Sequence, residues 1–135
     1  MNLSDRKFVL VIDDEEAMRE CISFFLEEYG FAVTTRENGR EGLELFRLNH
    51  FDLVVTDIMM PNMDGLTVIR EFLKINPATK IIAVSGFDMS ETLLYTAKQY
   101  GAVHTLKKPF ARETLINTVR DVMANNTVVE ELPEN

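Results

Sequence analysis

Residues 8–30 read F-V-L-V-I-D-D-E-E-A-M-R-E-C-I-S-F-F-L-E-E-Y-G, and they decide the fold. The first five, Phe8–Ile12, are wholly apolar, rich in β-branched residues and too short for a helix, so they predict a strand. Glu15–Tyr29 then carries Met18, Cys21, Ile22, Phe25 and Leu26 at helical spacing, and Gly30 supplies a C-terminal stop. On that face Cys21 is expected to be a buried, inert thiol. An unbroken apolar strand suits a parallel sheet covered by helices on both faces.

The same unit recurs outward along the chain. Short apolar runs fall at Phe31–Val33, Leu53–Val55, Ile81–Val84 and Val103–Leu106. Amphipathic stretches follow at Gly39–Asn49, Asp64–Ile75, Ser90–Tyr100 and Ala111–Ala124. The third stretch ends before Asn76–Pro77, because proline disfavours helix at the preceding residue. Asp64 suits the N-cap of that helix, and Gly65 a packing or turn role. Five strands alternating with five helices predict an α/β fold with helices on two faces and right-handed crossovers.

Composition bounds the function. The chain has 135 residues, 46% of them hydrophobic, which is one domain with a real core. We read residues 4–124 as that domain and 125–135, with V-V-E-E-L-P-E-N, as an acidic, disordered tail. One cysteine excludes an internal disulfide and a Cys-based zinc site. A formal charge of -8 argues against direct nucleic-acid binding, which needs several basic contacts to phosphates. No apolar run is long enough to span a membrane, and M-N-L-S-D-R-K-F has no signal-like apolar region. A cytoplasmic setting is the expectation.

In open parallel sheets, ligands bind at the carboxyl ends of the strands, near the switch in strand order. Polar residues follow the apolar runs at those ends: Asp13 and Asp14, then Asp57, then Ser85, then Lys107 and Lys108. Three carboxylates in one pocket repel, and a hard divalent cation with oxygen ligands relieves the repulsion. A carboxylate beside such a cation can serve as a phosphoryl acceptor. Read alone, Asp13–Asp14 would simply cap the first helix, and Asp14 can fill both roles. His50 is expected to face solvent, and His104 to lie on an edge strand.

Four stretches then carry a family resemblance: V-L-V-I-D-D-E at Val9–Glu15, D-I-M-M-P-N-M-D-G at Asp57–Gly65, V-S-G at Val84–Gly86 and L-K-K-P-F at Leu106–Phe110. In this order and spacing the chain resembles the receiver domain of bacterial two-component response regulators, with the single-domain, chemotaxis-type architecture. The resemblance implies a doubly wound, five-stranded parallel sheet of flavodoxin-like order 2-1-3-4-5. It implies Asp57 as phosphoacceptor, with Lys108 and Ser85 contacting the phosphoryl group. It implies Mg²⁺ (or Mn²⁺) held by Asp14, Asp57 and the backbone carbonyl of Met59, with Asp13 reaching it through water. The Lys108–Pro109 bond is expected to be cis, and Lys107 to point away.

The resemblance implies a switch that pairs Ser85 with the residue three before the lysine. That residue is Thr105, where the family carries an aromatic. Met59 and Phe87 would flank the path of the water that hydrolyses the phosphoryl group. Implied partners are a sensor histidine kinase or histidine-phosphotransfer protein as donor, and an output protein at the Ser90–Tyr100 helix, the fifth strand and the last helix. A phosphorylation-dependent homodimer is a further implied assembly. The domain would act on no separate substrate. An intermediate shuttle in a phosphorelay and an excised receiver of a longer transcription regulator stand as alternatives. An Asp-nucleophile phosphohydrolase ranks below them, because Met59 stands where such an enzyme carries its acid–base Asp. A flavin- or dinucleotide-binding domain lacks its glycine-rich phosphate loop here.

Overall fold

A computed structural model describes residues 6–59, 64–86 and 91–124. The order is β1 Phe8–Ile12, α1 Glu16–Glu28, β2 Ala32–Arg36, α2 Gly39–Leu48, β3 Leu53–Asp57, α3 Gly65–Ile75, β4 Lys80–Ser85, α4 Glu91–Tyr100, β5 His104–Lys107 and α5 Arg112–Ala124. All strands pair in parallel, in the order β2-β1-β3-β4-β5. The chain reverses its direction across the sheet between β1 and β3. The carboxyl ends of those two strands therefore flank the switch point at which ligands bind in such sheets.

Side-chain alternation sorts each apolar run onto two faces. Leu10, Ile12, Val54, Ile81 and Ala83 pack with Leu43, Phe46, Val68, Ile69, Phe72 and Ala97, under α2, α3 and α4. Val9, Val11, Leu53, Val55, Ile82 and Val84 pack with Ile22, Leu26, Leu115 and Val119, under α1 and α5. Phe72 is fully buried, and its ring meets that of Phe46 edge-on at 4.7 Å between centroids. Truncating such a ring to Ala costs about 3–5 kcal/mol.

Local chemistry sets the helix starts. Asn38 caps α2 by accepting from the Glu41 amide at 2.9 Å, and Asp64 caps α3 by accepting from the Leu66 amide at 3.1 Å. Gly65 is required by close approach, since a Cβ there would collide with the backbone of Ile58. That contact seats the start of α3 against the chain just beyond Asp57.

Three expectations change. β2 runs over Ala32–Arg36 and not over Phe31–Val33; it is an edge strand, half-buried throughout, so Thr34, Thr35 and Arg36 suit it. β3 reaches Asp57, β4 runs from Lys80 to Ser85, and β5 runs over His104–Lys107 and not over Val103–Leu106. Cys21 is exposed. It lies about 100° around α1 from the buried Ile22, past the edge of the stripe that meets the sheet.

Candidate functional site

The carboxyl ends of β1, β3, β4 and β5 converge. Asp13 follows β1 and is tied to β2 by its amide, which donates to the Arg36 carbonyl at 3.2 Å. Asp57 ends β3, and its strand pairs with β4 so that Asp57 sits beside Val84. Ser85 is the next residue of β4, and its carbonyl accepts from the Lys108 amide at 2.7 Å. The Lys108–Pro109 peptide bond is cis. Backbone pairing alone therefore gathers Asp13, Asp57, Ser85 and Lys108 from positions up to 95 residues apart in the chain.

The side chains meet there. Carboxylate oxygens of Asp13, Asp14 and Asp57 all lie within 4.8 Å of one another; Asp13 and Asp57 are buried and Asp14 is exposed. Lys108 Nζ is 2.9 Å from Asp13 Oδ2, 3.1 Å from Asp57 Oδ2 and 3.4 Å from Glu15 Oε1. The Asp13 contact is an ion pair lying off the hydrogen-bonding directions of Oδ2, whereas Asp57 Oδ2 accepts a hydrogen bond from Lys108. The other oxygen of each buried carboxylate takes a backbone amide. Glu15 donates to Asp13 Oδ1 at 2.9 Å, and Met59 donates to Asp57 Oδ1 at 2.9 Å. The Glu15 amide at the start of α1 thus donates to Asp13 and not to Asp14.

Burial is the largest influence on Asp57 and pushes its carboxyl above its ordinary value. The Met59 amide and Lys108 pull it down without offsetting burial, and the charge of Asp13 pushes it up again. Burial would lower the Lys108 ammonium, but contact with Asp13 and the charge of Asp57 outweigh it and hold it well above the ordinary lysine value. Lys108 is therefore a permanent cation. The buried carboxylates around it carry one more negative charge than it can neutralise.

Ser85 is fully buried, and among the described residues its hydroxyl has no hydrogen-bond partner. A buried hydroxyl left unmade costs about 1–3 kcal/mol, so an oxygen acceptor arriving beside it is favoured. Surplus carboxylate charge and an unsatisfied hydroxyl are what a divalent cation and a phosphoryl group would relieve. The donor set, all oxygen, suits a hard cation.

The remaining predicted residues take separate places. Met59 projects its side chain into the open, 61% exposed. Thr105 is half-buried on β5 beside Ala83 of β4. Lys107 pairs with Glu91 at the start of α4, 3.5 Å away. His104 is exposed on the edge strand β5. His50 is exposed and pairs with Asp52. Phe87, Ser90 and residues 125–135 lie outside the described residues. Sequence reading assigned no role to Glu15, although the D-D-E run placed it one residue past the acidic pair. Its distance from Lys108, 93 positions along the chain, hid the contact.

The response regulator receiver domain family matches residues 9–120. A probable transcriptional regulatory protein of Picosynechococcus is 34% identical over 98% of this chain and 55% of its own length. The response regulator MprA of Mycolicibacterium vanbaalenii is 35% identical over 88% of this chain and 51% of its own. The chain spans about half the length of the first curated relatives it matches. Among solved structures, the chemotaxis protein CheY4 of Vibrio cholerae is 30% identical, with TM-score 0.81, over 87% of this chain and 98% of that one. The beryllofluoride-activated NtrC4 receiver domain dimer is 29% identical, with TM-score 0.83, over 89% of this chain and 98% of that one. Strand order, the acidic cluster beside a lysine at the switch point and a family match across most of the chain agree: it belongs to the receiver domains of response regulators, a signalling rather than a catalytic family.

Proposed function

We propose that this domain, spanning residues 4–124, accepts a phosphoryl group on Asp57 from a sensor histidine kinase or histidine-phosphotransfer protein, and that the modification switches its binding to an output protein. The carrying observation is a buried Asp57 in contact with Lys108 and clustered with Asp13 and Asp14. One Asp57 oxygen attacks phosphorus, an O–P bond forms, and the P–N bond of the phosphohistidine breaks as the imidazole leaves with its electron pair. The new group brings about two negative charges. Lys108 moves its charge from the free carboxylate to a phosphoryl oxygen, and the Ser85 hydroxyl donates to another. Asp14, Asp57 and the Met59 carbonyl would hold Mg²⁺ or Mn²⁺ directly, with Asp13 reaching it through water. When bound, the cation supplies charge neutralisation and alignment of the in-line transfer. Self-phosphorylation from small donors and slow self-dephosphorylation are the only reactions we assign.

Intact-mass measurement with acetyl phosphate and Mg²⁺ tests this. One added phosphoryl group is expected on the native chain, with none on Asp57→Asn or with excess chelator. Labelling that persists in Asp57→Asn would remove Asp57 as the acceptor.

Thr105 bears on how the switch is read out. It cannot provide a rotating aromatic ring, so the response should travel through the segment after Ser85 into α4, because a ligand favours whichever state it contacts better. Amide shifts in α4 on phosphorylation are expected; shifts confined to the pocket would refute this route. Output through α4, β5 and α5, a phosphorylation-dependent homodimer and a cytoplasmic location complete the proposal. In support, no described helix is long and apolar enough to cross a membrane.

A further inference from the structure

Of the three carboxylates around Lys108, two are built in and one is not. Asp13 and Asp57 are buried, and a backbone amide holds an oxygen of each. Glu15 stands at the N-cap of α1 without making a side-chain cap bond, and its side chain is 65% exposed. Among the described residues its carboxylate bonds only to Lys108, at 3.4 Å. The Glu15 backbone is fixed by Asp13, while its long, mostly exposed side chain reaches Lys108.

We infer that Glu15 is a positioning residue: it restrains Lys108 in the resting state and sets the charge that an incoming phosphodonor meets. The inference rests on Asp57 being the acceptor. A donor is an anion, and Lys108 must turn toward its phosphoryl oxygens. Glu15 opposes both events, by competing for the ammonium and by repelling a donor that approaches Lys108. Because Glu15 is exposed, its effect is felt through water and is screened by salt.

The test uses the full chain with Mg²⁺ and two small donors. With acetyl phosphate, an Asp57 O–P bond forms, the P–O bond to the acyl group breaks, and acetate leaves with the electron pair. With phosphoramidate, the nitrogen is protonated, the P–N bond breaks and ammonia leaves. Glu15→Gln keeps the size and removes the charge. Its labelling rate with acetyl phosphate, the more highly charged donor, should rise about threefold at low salt. The gain should be smaller with phosphoramidate. It should also shrink as ionic strength rises from about 0.01 to 1 M, where the screening length falls from about 30 to about 3 Å. Glu44→Gln on α2 makes the same change in net charge at an exposed site and should leave both rates unchanged.

A second readout needs neither metal nor donor. The Lys108 side-chain NMR signal of the metal-free protein should move in Glu15→Gln and stay in place in Glu44→Gln. A Glu15→Gln rate equal to or below that of the native chain at low salt, or a Lys108 signal that does not move, would overturn the inference. If the native chain takes no label on Asp57, the phosphoacceptor reading fails instead, and the Lys108 signal still decides whether Glu15 restrains it.

Discussion

Two aspartates at opposite ends of the same strand meet opposite fates. Asp52 precedes β3 at the amino end of the sheet. It accepts from the Phe8 amide at 2.8 Å and from His50 at 2.9 Å, and it keeps partial contact with solvent. Burial is the largest single influence on it and raises its pKa. The Phe8 amide, His50 and Lys7 together outweigh burial, so the carboxyl sits below its ordinary value. Asp57, five residues on, also has an amide and a cation, yet burial wins and its carboxyl is raised. The first aspartate staples β1 to the chain entering β3. The second stores an unfavourable charge where chemistry can use it. Similar partners give opposite results because desolvation differs and Asp57 also faces the charge of Asp13.

The largest contrast is in labelling. Asp57→Asn should abolish phosphoryl uptake altogether, while Asp52→Asn should take the group as the native chain does, as read by intact mass. Next in size is the lifetime of the phosphoryl group. On the proposal that Met59 and Phe87 flank the path of the attacking water, neither offers it a hydrogen bond, and in-line hydrolysis depends on positioning it. Met59→Asn with Phe87→Glu should speed dephosphorylation about tenfold, timed after donor removal. His50→Ala, at the other end of the sheet, should leave the decay unchanged. Equal decay in all three proteins would show that these two side chains do not set the lifetime.

Stability should move in opposite directions at the two ends. In the metal-free protein Asp57→Asn removes a desolvated charge while Lys108 keeps Asp13 and Glu15. It should gain about 1 kcal/mol, a few degrees in Tm. Asp52→Ala should lose about 1 kcal/mol, because the Phe8 amide forfeits its acceptor. The smallest effect is its pH dependence. With its folded pKa depressed, Asp52 contributes stability that is present above the unfolded value near 3.8 and lost as pH falls through the folded value. The gap in stability between the native chain and Asp52→Ala should therefore hold from pH 7 down to about 4 and narrow below it. A gap that widens on acidification would reverse the sign assigned here.

The periodicity of apolar residues was sufficient to place five strands and five helices, because a strand buried on both faces and a helix with one apolar stripe leave distinct spacings in the chain. The ends of elements were less legible. β2 runs on through Thr34, Thr35 and Arg36 because an edge strand need not be apolar, and Cys21 looked buried because it lies one step outside a true stripe. The acidic pair, the lysine before proline and the serine after β4 were visible as residue types at the ends of apolar runs. Their meeting was not, since it depends on backbone pairing between strands far apart in sequence. Only the tertiary structure decided that Lys108 serves Asp13, Asp57 and Glu15 together, and that Ser85 is buried without a partner among the described residues. Only it decided that burial outweighs hydrogen bonding at Asp57 while the reverse holds at Asp52. A sequence names the groups that can carry charge or hydrogen bonds; which of them lose their water is settled when the sheet and helices close around them.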